Sequence, residues 1–114
     1  MARSMEQVLN DHVAALLRGD LPALMADYDE DSVLMTLEGT FVGLAAIEGF
    51  FANGLAMMPN LRVNPVGMQV HDDAVLVAWT AEFDTGSVPD GVDTFVVRDD
   101  KIRLQTGYFT VVPT

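Results

Sequence analysis

Beyond Pro59-Asn60 the apolar residues of this chain recur at or near every second position, and helical spacing never returns. A period of two belongs to strands, whose side chains point to opposite faces in turn, so the second half must build a sheet. Within 74–84, Val75, Val77, Trp79, Ala81 and Phe83 share one strand face. Within 91–102, Val92, Thr94, Val96 and Arg98 alternate with Asp93, Phe95 and Val97. Arg98-Asp99-Asp100-Lys101 and His71-Asp72-Asp73 read as tight turns, because aspartate tolerates the backbone angles that such turns require. Residues 61–71 alternate less regularly. Pro65 lacks the amide donor a central ladder needs, so an edge or a bulge is expected there. Residues 86–91 read as loop and 102–112 as a last strand.

The first half carries the helices. Met5, Val8, Leu9, His12, Val13, Leu16 and Leu17 follow the i, i+3, i+4, i+7 spacing of an amphipathic helix. Ser4 and Gln7 supply a capping box and Gly19 a stop. Asp20 caps a second short helix with Pro22 in its first turn and Leu21, Leu24, Met25 and Tyr28 on one side, closed by the acidic run of 27–31. Residues 32–37 read as a strand and 39–43 as a short partner or turn. A third helix over 44–58 turns Ile47, Phe50, Phe51, Leu55 and Met58 inward. Helices followed by hairpins predict an α+β cone, in which a curved antiparallel (mixed) sheet wraps around three helices of the N-terminal half. Such a cup encloses an apolar pocket, where small molecules usually bind.

A chain of 114 residues, half of them hydrophobic, makes one domain over 1–114. Seventeen acidic against six basic residues leave a formal charge of −11, which repels phosphate backbones and anionic membranes. No nucleic-acid partner and no membrane partner is expected. No apolar stretch approaches the roughly 18 residues of a membrane span, and the opening MARSMEQ has no secretory core. With no cysteine to form disulfides, a cytoplasmic protein is the expectation. Metal-ligand spacing, phosphate-cradling glycine loops, nucleophile elbows and dinucleotide fingerprints are all missing, so neither a metal nor a cofactor is expected.

Candidate site residues follow from position. Asp93 shares a strand face with Phe95 and Val97, opposite the Trp79 face of the preceding strand. Either it ends the strand in water near Gly91, or it stands in an apolar hollow where desolvation raises its pKa into the range useful for proton transfer. His12 lies on the apolar stripe of the first helix. Either it is a core histidine bonded to a carbonyl, or it meets a ligand or pairs with Asp93. Trp79, Phe51, Tyr28 and Phe83 divide between core and cavity lining, with Thr36 and Gln105 as further polar contacts. Glu38 and Glu82 either act as bases or stand exposed to solvent, exposure being the ordinary state of such carboxylates, and His71 belongs to its turn.

Three segments carry a family resemblance: VAALLRGDLPALMADYDEDSVLM at 13–35, GTFVGLAAIEGFF at 39–51 and DTFVVRDDKIRLQ at 93–105. They resemble the nuclear transport factor 2-like superfamily, in its SnoaL-like polyketide cyclase and ketosteroid isomerase branches, over about residues 8–111. The fold hosts isomerases, cyclases, dehydratases, epoxide hydrolases and proteins without catalysis, so the resemblance implies a fold before a reaction. Ketosteroid isomerases use a carboxylate base and an oxyanion hole built from a tyrosine and a protonated aspartic acid. Asp93 matches that aspartic acid, His12 stands at the tyrosine, and Thr36 stands at the base, with Glu38 two residues on. In SnoaL-like cyclases a pocket aspartate moves the proton, a role Asp93 fits. The resemblance implies a cofactor-independent isomerase or cyclase with Asp93 and His12 catalytic, acting on a small apolar or carbonyl-containing molecule. The alternative is a binding or protein-interaction module on the same cup. Epoxide hydrolysis ranks last, since no arginine falls on a pocket face. A homodimer through the convex sheet face is implied as well.

Overall fold

A computed structural model describes residues 3–114. It opens with helices α1 (Met5–Arg18) and α2 (Leu21–Met25), followed by the hairpin of β1 (Val33–Thr36) and β2 (Gly39–Val42) and by helix α3 (Leu44–Met57). Strands β3 (Arg62–His71), β4 (Ala74–Phe83), β5 (Gly86–Arg98) and β6 (Lys101–Tyr108) follow, with a two-residue β7 (Val112–Pro113). The strands make one open sheet in the order β2-β1-β6-β5-β4-β3, with β7 on β5. Its pairings are antiparallel except β1 with β6, where Leu34 lies beside Gln105. This is the expected α+β layering of three helices on a curved, mixed sheet.

Local chemistry explains the boundaries. Ser4 accepts from the Gln7 amide while the Gln7 side chain accepts from the Ser4 amide, so α1 starts on a full capping box. Gly19 ends it in the left-handed region at φ 65°. Asp99 and Asp100 both take positive φ, 52° and 70°, in the two-residue turn joining β5 to β6. The three bases around that turn are all engaged: Arg98 with Asp73, Arg103 with Asp29, and Lys101 with the Ala26 carbonyl.

Residues 86–91 correct the expected loop. They are the first half of β5, pairing Gly86 with Phe83, Ser87 with Glu82 and Val88 with Ala81. Pro89 and Asp90 then stand against Thr80 alone, a bulge that places the proline where no ladder amide is needed. The expected irregularity at Pro65 is present too. The register shifts between Pro65 and Gly67, and β3 is an edge strand. Both register shifts fall beside Trp79 and its partner Pro65.

The sheet buries one face against the helices. Val8 and Ala15 of α1, Leu24 of α2, Ile47 and Phe51 of α3, and Leu34, Phe95, Val97 and Ile102 of the sheet form the main core. A second core of Ala81, Phe83 and Val88 packs with Met58, Leu61, Val63, Trp79 and Phe109. The outer face stays open, with Met35, Leu76, Val92 and Tyr108 exposed. No helix among the described residues is long and apolar enough to cross a membrane.

Candidate active site

Asp93 occupies the helix-facing side of β5, level with Val77 on β4 and Gly107 on β6. It is half-buried, and each carboxylate oxygen has one donor. Oδ1 accepts from Trp79 Nε1 at 3.1 Å and Oδ2 from Gln105 Nε2 at 2.9 Å. The Gln105 amide is itself oriented, because its Oε1 accepts a hydrogen bond from the Tyr28 hydroxyl. Tyr28 and Gln105 are both buried, at 2% and 4% exposure. A chain from Tyr28, in the loop after α2, through Gln105 of β6 therefore ends on Asp93 of β5.

Burial pushes the Asp93 carboxyl above its ordinary pKa. The bonds from Gln105 and Trp79 and the nearby His12 favour the charged form and offset part of that rise. The Tyr28 hydroxyl is also raised, first by its burial and then by the Asp27 and Asp93 charges.

Two glycines make this geometry possible. Gly91 is the register partner of Trp79, and a Cβ there would lie 2.2 Å from the indole. The indole therefore rests on bare backbone, which lets Nε1 reach Asp93. Gly107 is the register partner of Asp93, and a Cβ there would approach Oδ1 to 3.2 Å. Gly107 also forms part of the wall of a cavity of about 170 Å3, together with Thr36, Glu38, Phe50, Tyr108 and Phe109. Thr36 Oγ1 accepts from the Glu38 amide, so its hydroxyl proton remains available to a ligand.

His12 is buried at 4% exposure. Its ring meets Phe95, Phe51 and Tyr28 edge-on, with centroids 5.6, 5.8 and 6.0 Å away. The pairing of His12 with Asp93 is not made. Its Nδ1 faces Asp27 Oδ2 at 3.8 Å, while Asp93 is held by Trp79 and Gln105. Asp27, the first of the acidic run that closes α2, is 1% exposed. Its Oδ1 accepts from Arg3 Nη1 at 2.8 Å, and Arg3 also bonds Asp11 and Asp100.

Of the residues singled out from sequence, the fold joins Asp93, Trp79, Gln105 and Tyr28 by hydrogen bonds. It sets His12 and Phe51 against Tyr28, and puts Thr36 and Glu38 on the cavity wall. Phe83 lies in the second core, Glu82 is exposed, and His71 is exposed at its turn beside Asp72. Gly91, Gly107, Asp27 and Phe95 were not singled out. Register alone reveals the glycines, and the period of β5 was the available signal for Phe95. Among the described residues no group of three or more His, Asp and Glu side chains converges as metal ligands would.

A family model described as the SnoaL-like domain matches residues 9–105. The chain belongs to the SnoaL-like family. Among curated proteins none is similar to this SnoaL-like domain in sequence. Several solved structures are similar in fold. An NTF2-like protein of unknown function from Cytophaga hutchinsonii is 12% identical with a TM-score of 0.79, covering 96% of this chain and 93% of its own. A protein with a ketosteroid isomerase-like fold from Catenulispora acidiphila, in complex with trimethylamine, is 19% identical with a TM-score of 0.76, covering 91% and 85%. TerC, co-crystallised with polyporic acid, is 21% identical with a TM-score of 0.79, covering 93% and 91%. At such identities the likeness establishes the fold of this SnoaL-like domain, an NTF2-like α+β cone.

Proposed function

We propose that this SnoaL-like domain binds a small carbonyl-containing organic molecule and moves a proton on it through Asp93, as a cofactor-independent isomerase or cyclase. The observation that carries this reading is the Asp93 carboxyl, fixed by Trp79 and Gln105, raised in pKa by burial and set against Gly107, which forms part of the cavity wall. A carboxylate with an elevated pKa is a better base near neutral pH than an ordinary one. In the ionised form Asp93 takes a proton from the carbon next to the carbonyl. The C–H electron pair moves to the oxygen as an enolate, and the proton returns at the new position. In this reading the Thr36 hydroxyl, free to donate and on the cavity wall, bonds the enolate oxygen. Support for a small organic ligand also comes from TerC with polyporic acid and the Catenulispora acidiphila protein with trimethylamine, which share this fold.

The test is deuterium exchange next to the carbonyl of a small cyclic ketone, followed by proton NMR in D2O. Wild type should accelerate exchange and Asp93→Asn should lose about 100-fold or more of that acceleration. Equal rates in the two proteins would overturn the reading.

A second reading, a module that binds without catalysis, draws on Thr36 standing where the family resemblance puts the base. It predicts ligand binding that Asp93→Asn leaves intact and no exchange in either protein. For assembly we propose a homodimer through the outer sheet face, where Met35, Leu76, Val92 and Tyr108 are uncovered. Sedimentation should give twice the 12.4 kDa chain mass, and a monomer at micromolar concentration would refute it.

A further inference from the structure

Two buried side-chain polar atoms have no hydrogen-bond partner among the described residues: His12 Nδ1 and Asp27 Oδ2. They face one another at 3.8 Å, beyond hydrogen-bond length yet with both groups sealed from water. Buried polar atoms are seldom left unpaired, so a facing pair of them carries information about the proton between them. An ionised carboxylate can only accept. The guanidinium of Arg3 donates to the other oxygen of Asp27, a charge-assisted bond in which the carboxylate is the acceptor. The imidazole nitrogen opposite must then carry hydrogen, because a lone pair aimed at a carboxylate is repelled. The ring stands edge-on to Phe51, Phe95 and Tyr28.

We propose that Asp27, held by Arg3, fixes His12 in the Nδ1–H form and leaves Nε2 as the proton acceptor of a ring packed among Phe51, Phe95 and Tyr28. His12 is then a second proton-handling group beside Asp93, and Asp27 and Arg3 are positioning residues. Neutral histidine in water prefers hydrogen on Nε2, so this fold selects the less common tautomer through the partner it gives Nδ1. The role in proton transfer rests on the reading of the Asp93 site given above, whereas the tautomer does not.

The experiment is a two-bond proton–nitrogen correlation spectrum of the full-length, nitrogen-15-labelled chain, at a pH where both histidine rings are neutral. The chain has two histidines, and exposed His71 serves as the internal reference for the ordinary form. His12 should show the Nδ1–H pattern and His71 the Nε2–H pattern. An Nε2–H pattern for His12 in wild type would overturn the proposal without any variant. Asp27→Leu, in samples whose amide spectrum remains dispersed, should return His12 to the Nε2–H form; retention of Nδ1–H would remove Asp27 from its role. His12→Gln should then reduce the deuterium exchange described above at least tenfold, and an unchanged rate would limit His12 to structure. Wild type without exchange would refute the Asp93 reading and leave the tautomer result standing.

Discussion

Gly91→Ala offers the sharpest test of how the site is held. The added Cβ would sit 2.2 Å from the Trp79 ring, far inside contact distance, so the indole must move. Gly91 does not occupy the left-handed region, so alanine brings no backbone strain and contributes about 0.4–1 kcal/mol by restricting the unfolded chain. Against that, overpacking costs about 1–3 kcal/mol. Losing the Trp79 bond to a charged group costs about 1.5–3 kcal/mol, near the lower end here because Asp93 is only half-buried. The net is a destabilisation of about 2–4 kcal/mol. At an unfolding entropy of about 0.24 kcal/mol/K for a chain of this size, the melting temperature should fall by about 8–16 °C. Trp79 is the sole tryptophan, so its fluorescence reports its own environment without interference. Emission should shift as the indole leaves its seat against Phe109, whose ring centroid is 5.7 Å away. In a Trp79→Phe background the smaller ring leaves room, and the same glycine substitution should cost at least 1 kcal/mol less, a coupling typical of residues in contact. A Gly91→Ala protein that melts within 1 °C of wild type with unchanged emission would refute this account of the seat.

Three further outcomes follow from the same geometry. Asp93 has a raised folded pKa, so its contribution to stability is fully present below the unfolded value of about 3.9 and is lost as pH rises through the folded value. The melting temperature of wild type should therefore drop relative to Asp93→Asn as pH rises from 3 to 8; a constant difference would contradict a buried carboxyl. Tyr28→Phe keeps the ring but leaves buried Gln105 Oε1 without its donor, so a loss of about 1–3 kcal/mol is expected in urea unfolding. Arg3→Ala strands the buried Asp27 carboxylate. Because Arg3 is itself partly exposed, the expected cost is about 2 kcal/mol, below the 3–5 of a fully buried pair, and a calorimetric scan near neutral pH measures it.

Much of the frame was legible because alternation survives in β4 and β5, and α1 and α2 begin on side-chain caps. Asp93 could be placed beside Phe95 from the strand period alone, and Trp79 by the same argument on its neighbour. The Tyr28–Gln105 bond was not legible. It joins residues 77 apart and depends on β1 lying parallel to β6, which no local pattern encodes. Asp27 was hidden for a different reason. An acidic run reads as solvated, and only the packing of α1 and the arrival of Arg3 bury one of its members. Residues 86–91 were misread because glycine, proline and aspartate ordinarily mark loops, whereas here a bulge absorbs Pro89 and lets the ladder continue.

The amide of Gln105 has two unlike ends, one that gives hydrogen and one that takes it. While Asp93 is charged, the giving end turns toward it and the taking end toward Tyr28. A neutral carboxyl with its hydrogen on Oδ2 asks for the reverse, and the amide must roll over, after which the phenol has to receive instead of give. A single proton gained at Asp93 would thus be felt as a reversal of polarity at the buried Tyr28, without any backbone moving.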